Sequence, residues 1–359
     1  MTVSKTVFLY SDDRKTALIK PANRLTFQVF NDELKLMING KVFSASKFYL
    51  KPENDTALVG INGNSYRGYL KIVNSDSGIK LVNTLLIEDY VKGVMTKEMP
   101  VGTGTENFEA LKAFAICVRT YALMKLGNGN IDFDLYSDTR DQVYGGADAE
   151  YPMSDSAVEA TRGVILTYSG NPAIVYYHST CGGHTENSVN VFTARSIPYL
   201  TGIPDGSPPY CSISPRFSWE EQYSETEFIK RLTEAGYLSD KFTVLDSVSV
   251  ISRFESGRVN NLRIIVSAES GETKQIDLFG NSIRNIIRNS DNSAPLRSTL
   301  FDINLNSDLS VKIKGNGFGH GVGLCQYGSI FLSKSGWNYK SILNHYFPGT
   351  NITTKYDQK

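Results

Sequence analysis

Leu85-Leu86-Ile87-Glu88-Asp89-Tyr90-Val91-Lys92-Gly93-Val94-Met95-Thr96-Lys97-Glu98-Met99-Pro100 (85–100) is the stretch on which the reading of this chain turns. Its apolar residues Leu85, Leu86, Ile87, Tyr90, Val91, Val94 and Met95 fall three and four apart until Pro100, the spacing of one apolar face of a helix of about three turns. Glu98 stands at the C-terminal end of that helix. A second helix is predicted from about Glu106 to Leu126, between a polar Thr103-Gly104-Thr105 start and a Gly127-Asn128-Gly129 stop. Ala113 to Met124 is apolar nearly all round, so this helix is expected to be buried.

Outward from the helices the period changes. From Thr6 to about Val82, short apolar runs alternate with turn signals: Leu36-Met37-Ile38, the Asn39-Gly40 turn, Val42-Phe43, Val59 to Ile61 and Tyr69 to Val73, a β-rich lead-in. Downstream, Asp132 to Gly206 reads as short strands and loops, including Val164 to Tyr168 and Ala173 to Tyr177. Ser224 to Gly236 reads as a helix, and Thr243 to Leu278 as three strands turning at Ser256-Gly257 and Ser270-Gly271. A short helix at Ser282 to Asn289, strand-like Val311 to Lys314 and helical Tyr339 to Tyr346 complete the chain. With no regular βαβ rhythm and no internal repeat, the expected class is α+β: mixed strands and a few helices, with buried helices packed on β structure. The expected division is a β-rich region over 1–82 and a larger region over 83–359 that contains a β/α subdomain at about 215–310.

Composition narrows the function classes. Lys plus Arg and Asp plus Glu are 37 each among 359 residues, a formal net charge of zero, with no basic run to hold nucleic acid or an anionic membrane. No run approaches the 18 or more apolar residues that span a bilayer, and Met1 to Arg14 lacks the pattern of a signal peptide. The four cysteines show no two-residue spacing of a zinc knuckle or redox motif. Cys117 and Cys325 read as buried thiols. Cys181 and Cys211 lie in Gly-, Pro- and Ser-rich loop text, where an oxidising compartment would allow a disulfide.

Several residues could carry chemistry. A carboxylate at the C-terminal pole of a helix, beside Met95 and Met99, is disfavoured as an anion by the dipole and by desolvation. Glu98 thereby suits a general acid for a glycosidic oxygen, against the plainer reading of a solvated Glu at a frayed helix end. Arg119, inside an apolar helix, must find an anion or a fan of acceptors, either to orient a catalytic carboxylate or substrate or as a structural ion pair. Asp138 to Gly146 gathers donors, acceptors and Tyr144 in a loop suited to sugar hydroxyls. His178, Cys181 and His184 with Cys211 offer a possible zinc set, although a disulfide would consume both sulfurs; His178 also fits a substrate contact, a proton shuttle or a satisfied loop histidine. Gly315 to Gly328 matches no nucleotide-binding pattern. Its glycines recur at every second residue from 315 to 323, which in an extended chain leaves one face bare backbone, either as a tightly packed strand or as a site where His320, Gln326 and Tyr327 meet a ligand. No nucleophile-elbow sequence is present.

Taken in order, these blocks resemble the stage II sporulation protein D family, which also includes the LytB amidase-enhancer proteins. The matching text is 86–100; 109–122, with Arg119 and Tyr121; Gln142-Val143-Tyr144; Tyr177-His178-Ser179 with Gly182 to Glu186; Gly319 to Gly323 with Gln326-Tyr327-Gly328; and His345 to Thr350. The resemblance implies a lytic transglycosylase acting on peptidoglycan glycan strands stripped of stem peptides, with Glu98 as the catalytic residue. Substrate contacts are expected from Arg119, Tyr121, Asp138, Gln142, Tyr144, His178, Ser179, His320, Gln326 and Tyr327, and the expected location is extracytoplasmic, with a signal or anchor that is not in this sequence. No cofactor is expected: relatives that hold zinc before the Gln-Val-Tyr motif use His and Cys where this chain has Arg140 and Asp141. The enhancer branch implies an alternative, a non-catalytic peptidoglycan-binding protein that stimulates an N-acetylmuramoyl-L-alanine amidase. Metal-dependent hydrolysis on His178, Cys181, His184 and Cys211 is a third expectation.

Overall fold

A computed structural model of the chain describes residues 1–31, 33–54, 56–75, 78–127, 132–192 and 195–355. It is α+β and richer in strand than in helix. Two compact units divide it, Met1–Ile174 with Ile352–Lys359, and Val175–Asn351. The sequence had suggested a change of texture near residue 82 instead. Within the first unit a separate apolar core draws on residues from Val3 to Ile72.

In the first unit a five-stranded antiparallel sheet runs in the order Gly78–Thr84, Tyr69–Ser75, Lys47–Pro52, Val7–Ser11, Arg14–Ile19. Register follows the alternation of side chains: Leu9 faces Leu50 and Leu50 faces Leu70, while Phe48 faces Ile72, all on the buried side. A one-residue slip would turn this row to solvent. A second sheet of Thr26–Phe30, Glu33–Ile38 and Lys41–Ala45 adds Leu34, Leu36, Ile38 and Ala45 to the same core. Its second hairpin turns at Asn39-Gly40, where both residues have positive φ, as a two-residue hairpin loop demands.

Three helices follow. Helix α1 is Ile87–Glu98, and it ends where Met99 becomes extended ahead of Pro100. A 3-10 turn, Thr105–Asn107, leads into α2, Phe108–Lys125, which is buried continuously from Ala113 to Thr120. Asn128 and Gly129 of its predicted stop lie outside the described residues. Helix α3, Pro152–Ala160, was expected as loop and strand; Pro152 in its first turn is the start signal that the sparse apolar spacing behind it conceals. Lys92 of α1 pairs with Glu159 of α3 at 2.6 Å. The strand Val164–Tyr168 then lies between Asn171–Pro172 and the late strand Asn351–Thr354.

The second unit holds two three-stranded sheets, Ser218–Tyr223 with Val311–Asn316 and Phe301–Leu305, and Phe242–Arg253 with Val259–Ala268 and Thr273–Phe279. The latter turns near the two predicted Ser-Gly pairs, with Gly257 and Gly271 at positive φ. Helix α4, Glu225–Glu234, opens with a capping box in which Ser224 and Glu227 satisfy each other's backbone donors. Helix α5 is Ser282–Ile287. These elements share one core drawn from Trp219 to Ile313. Beyond it, Tyr177–His178 pairs in parallel with Leu324–Cys325, followed by α6, Gln326–Lys334, and α7, Tyr339–Tyr346.

The glycine-rich stretch is not the alternating extended strand that was expected. Gly317, Gly319, Gly321 and Gly323 all have positive φ, so the chain turns repeatedly before α6 begins at Gln326. The demand for bare backbone is nevertheless real. A Cβ on Gly321 would stand 2.5 Å from the Arg258 guanidinium, and one on Gly323 would stand 2.1 Å from the Tyr176 carbonyl oxygen.

Candidate functional site

The predicted residues fall into two groups, one in each unit. In the first unit the loop after α2 folds back on α1. Glu98 is half-buried at the helix end, between Met95 and the buried Met99, and its Oε1 accepts the Val143 N–H at 2.6 Å. Burial raises its pKa above the ordinary glutamate value, and the Val143 hydrogen bond opposes this only in part. The loop is fixed at neighbouring points. Gly145 N–H donates to the Gly93 carbonyl at 2.9 Å, and the Tyr144 ring lies against Gly93, where a Cβ would be 2.3 Å from it. Tyr144 stacks on Tyr90 with ring centroids 5.5 Å apart and donates its hydroxyl to Asn83 at 2.9 Å. Tyr90, two turns before Glu98, donates to Oε1 of the fully buried Gln142 at 3.0 Å. Burial raises the pKa values of both tyrosines, so both hydroxyls stay protonated and donate.

Tyr121 is tied to the same loop, its hydroxyl donating to Asp141 at 2.7 Å, with Lys125 3.0 Å from that carboxylate. Burial alone would raise the Asp141 pKa, but the bonds from Tyr121, the Tyr136 N–H and Lys125 outweigh it and hold the carboxylate below its ordinary value. Asp138 is exposed and paired with Arg140, whose guanidinium lies 3.6 Å from the centre of the Tyr136 ring. A cleft of about 800 Å³ opens beside this loop, lined among others by Asn83, Tyr90, Phe133, Tyr136, Arg140 and Tyr144. Aromatic faces with a few polar groups form a surface that can hold a chain of polar rings.

Arg119 corrects the expectation of a substrate contact. It is 0% exposed and grips Glu88, with Nη2 2.6 Å from Oε2 and Nε 3.0 Å from Oε1, while Nη1 and Nη2 reach the carbonyls of Val164 and Val158. Glu88 also accepts the Gly163 N–H at 2.9 Å. The guanidinium therefore belongs to a buried ion pair joining α1, α2 and the start of Val164–Tyr168, the structural alternative weighed from the sequence.

In the second unit His178 is buried, with Nδ1 3.1 Å from the Val322 carbonyl oxygen. Its ring centroid is 5.6 Å from that of His320, whose Nδ1 accepts the Val322 N–H at 3.1 Å. Burial, then the neighbouring His320 and Arg258, lower the His178 pKa well below the imidazole value; burial and the Arg284 charge push His320 down to about 3. Both shifts favour the neutral imidazole. Gln326 is buried at the start of α6, and the Tyr327 N–H donates to the Ser179 carbonyl at 3.1 Å. Ser179 Oγ lies 3.3 Å from Thr180 Oγ1.

The proposed zinc set also needs correction. His184 Nδ1 is 2.6 Å from the Thr185 carbonyl oxygen, and the sulfurs of Cys181 and Cys211 turn to Cys325 and Asp205 rather than to the two histidines. The parallel pairing that sets His178 opposite Cys325 brings that third thiol in. Cys181 and Cys211 are free thiols 3.4 Å apart, so the suggested disulfide is absent. Asp205, Glu88, Tyr90 and the Val143 amide were not singled out from the sequence. Asp205 lies in a Pro-Asp-Gly turn that reads as any loop, and a backbone donor leaves no residue signature.

The first unit thus holds a half-buried glutamate at a helix end and, beside the same loop, a tyrosine-lined cleft that Glu98 itself does not line; the second holds a glycine-rich turn around two histidines. The family model "Stage II sporulation protein" matches residues 75–168, and "Domain of unknown function (DUF8618)" matches 211–323. Stage II sporulation protein D of Bacillus subtilis is 30% identical over 288 residues, covering 76% of each chain. An uncharacterized protein of Brachyspira hyodysenteriae is 31% identical over 346 residues, 96% of this chain and 86% of that one. An amidase enhancer of B. subtilis is 30% identical over 295 residues, 74% of this chain but 40% of its own length. The chain belongs to the stage II sporulation protein D family. Among the described residues no helix is long and apolar enough to cross a membrane.

Proposed function

We propose that this protein acts on the bacterial cell wall as a lytic transglycosylase, cleaving the bond between N-acetylmuramic acid and N-acetylglucosamine in glycan strands with Glu98 as both acid and base. The observation that carries the reading is the Glu98 carboxyl, half-buried at the end of α1 with one oxygen fixed by the Val143 N–H, which leaves its second oxygen for a reacting group. A carboxyl whose proton is held by desolvation can deliver it to the bridging oxygen as the C–O bond breaks. The resulting carboxylate then takes the proton of the muramyl C6 hydroxyl, whose oxygen closes on the anomeric carbon to give a 1,6-anhydro ring. No water enters, so the second carboxylate of ordinary glycoside hydrolysis is not required. Tyr136 supplies an exposed face for a sugar ring, Tyr90, Tyr144, Gln142 and Tyr121 hold the loop in place, and the site of action is extracytoplasmic.

A second reading rests on the identity to the amidase enhancer: a catalytically silent protein that binds peptidoglycan and stimulates a separate amidase. The two are separated by incubating wild type and Glu98→Gln with purified peptidoglycan and with amidase-denuded strands, then identifying soluble products by mass spectrometry. Anhydromuramyl ends from wild type alone support the transglycosylase. Reducing ends mean hydrolysis and a water-activating base elsewhere. Binding without products, together with faster release of stem peptides by an added amidase, supports the enhancer.

A further inference from the structure

The second unit contains a cluster of donors that the cleavage reading leaves unused. Cys181 follows the strand Tyr177–His178, Asp205 lies on the loop beyond it, Cys211 lies in the 3-10 turn Tyr210–Ile213, and Cys325 is the N-cap of α6. Their three sulfurs and an Asp205 carboxylate oxygen all lie within 4.8 Å of one another, and all four residues are fully buried. We propose that these four side chains form a closed structural site for a thiophilic divalent cation, zinc by the softness of its donors, which ties the 181–211 loop to the start of α6. This proposal is independent of the cleavage reading.

Three observations support it. First, the ligand set is chemically matched: three thiols and one carboxylate with no open face suit a four-coordinate structural zinc site. Tetrahedral placement at Zn–S of about 2.3 Å separates sulfurs by ~3.8 Å, close to the 3.4 Å between Cys181 and Cys211. A disulfide between that pair would leave Cys325 and the Asp205 carboxylate packed against it without a role. Second, the donors are oriented by an outer shell. Asp205 Oδ1 accepts the Tyr346 hydroxyl at 2.8 Å and lies 3.2 Å from His345 Nε2, while Oδ2 faces Cys181 Sγ at 2.9 Å. Amide N–H groups of Gly182, Gly183, Cys181 and Gly328 point at the sulfurs of Cys211, Cys181, Cys325 and Cys325 at 3.2–3.4 Å, an arrangement that favours thiolates. Third, the charge is partly answered. Three thiolates and a carboxylate around a dication leave an excess of negative charge, and Arg258, 1% exposed, stands beside them and donates to the carbonyls of Cys181 and His184.

The test is metal analysis of the full chain purified under reducing, chelator-free conditions. Zinc is expected at about one equivalent per chain, retained in Cys117→Ala, whose thiol lies in α2, and lost in Cys211→Ser. Tyr346→Phe keeps all four ligands but removes the shorter of the two contacts on Asp205 Oδ1, leaving His345, so metal affinity should fall by roughly 10-fold or more. Because Cys211→Ser could fail by misfolding, wild type refolded with cobalt provides a second readout: thiolate-to-cobalt charge transfer and tetrahedral d–d bands are expected. Metal-free protein in which all four thiols titrate after unfolding overturns the proposal. So does a mapped Cys181–Cys211 disulfide, or a cobalt spectrum without thiolate bands.

Discussion

The Val143 amide N–H donates to Glu98 Oε1 at 2.6 Å, joining two residues 45 positions apart and fixing the end of α1 against the loop that follows α2. The bond has two consequences of opposite sign. It favours the anion, yet burial prevails and the Glu98 pKa stays raised. A folded-state pKa above the unfolded value, about 4.3 for Glu, means the folded chain holds the proton more tightly. The contribution of Glu98 to stability is therefore fully present below the unfolded pKa and is lost as pH rises through the folded one. Cleavage that starts from the protonated acid should fall over the same upper limb. Comparing Glu98→Gln with wild type by chemical denaturation from acid to neutral pH checks the first part: the variant should gain relative stability with pH. A constant difference would mean the carboxyl is solvated.

How much of this was legible beforehand follows from range. The α1 pattern and its Pro100 stop are local, and so are the Asn39-Gly40 hairpin and the Ser224 cap, so sequence text sufficed for all three. Arg119 announced its need for an anion, but its partner lies 31 residues away and is one acidic residue among 37. The cysteines failed for the same reason at greater distance: Cys181 meets Cys325 across 144 positions, a proximity created by a parallel strand pair only two residues long. The glycines from 317 to 323 alternate like a strand, yet positive φ at four of them makes turns, and alternation of glycine alone cannot distinguish the two.

The buried Arg119–Glu88 pair predicts a folding phenotype rather than a binding one. Arg119→Met removes the guanidinium from a desolvated Glu88 carboxylate that still accepts the Gly163 N–H, at a cost of about 3–5 kcal/mol. Adding Glu88→Gln removes the stranded charge and keeps that acceptor, so the double variant should recover part of the loss in urea unfolding. Normal stability of Arg119→Met with loss of cleavage would instead return Arg119 to the substrate.

The outer cleft permits a separation of binding from folding. Tyr136 is on the surface, stacked under Arg140, and Tyr136→Ala removes an aromatic face without opening the core. Unfolding free energy should change by no more than about 0.5 kcal/mol. Retention of denuded glycan on the protein should weaken severalfold, by roughly 1 kcal/mol for a lost stacking contact. Pull-down on purified strands measures this; unchanged retention would place the glycan elsewhere.

Gly93→Ala sets two effects of known sign against each other. In an exposed helix the change would stabilise by up to about 1 kcal/mol through helix propensity. Here the added methyl would sit 2.3 Å from Tyr144 Cε2 and 3.0 Å from the Gly146 carbonyl oxygen, so the loop must retreat. Overpacking of this kind costs about 1–3 kcal/mol, so the net change should be destabilising. Tyr144 is the neighbour of Val143, and moving it lengthens the hydrogen bond that holds Glu98. Cleavage should consequently fall more than stability alone accounts for, which is read by assaying the variant well below its melting temperature. A stabilised, fully active Gly93→Ala would mean that the loop can shift without carrying Val143 along, and that the Glu98 carboxyl is held by the helix end alone.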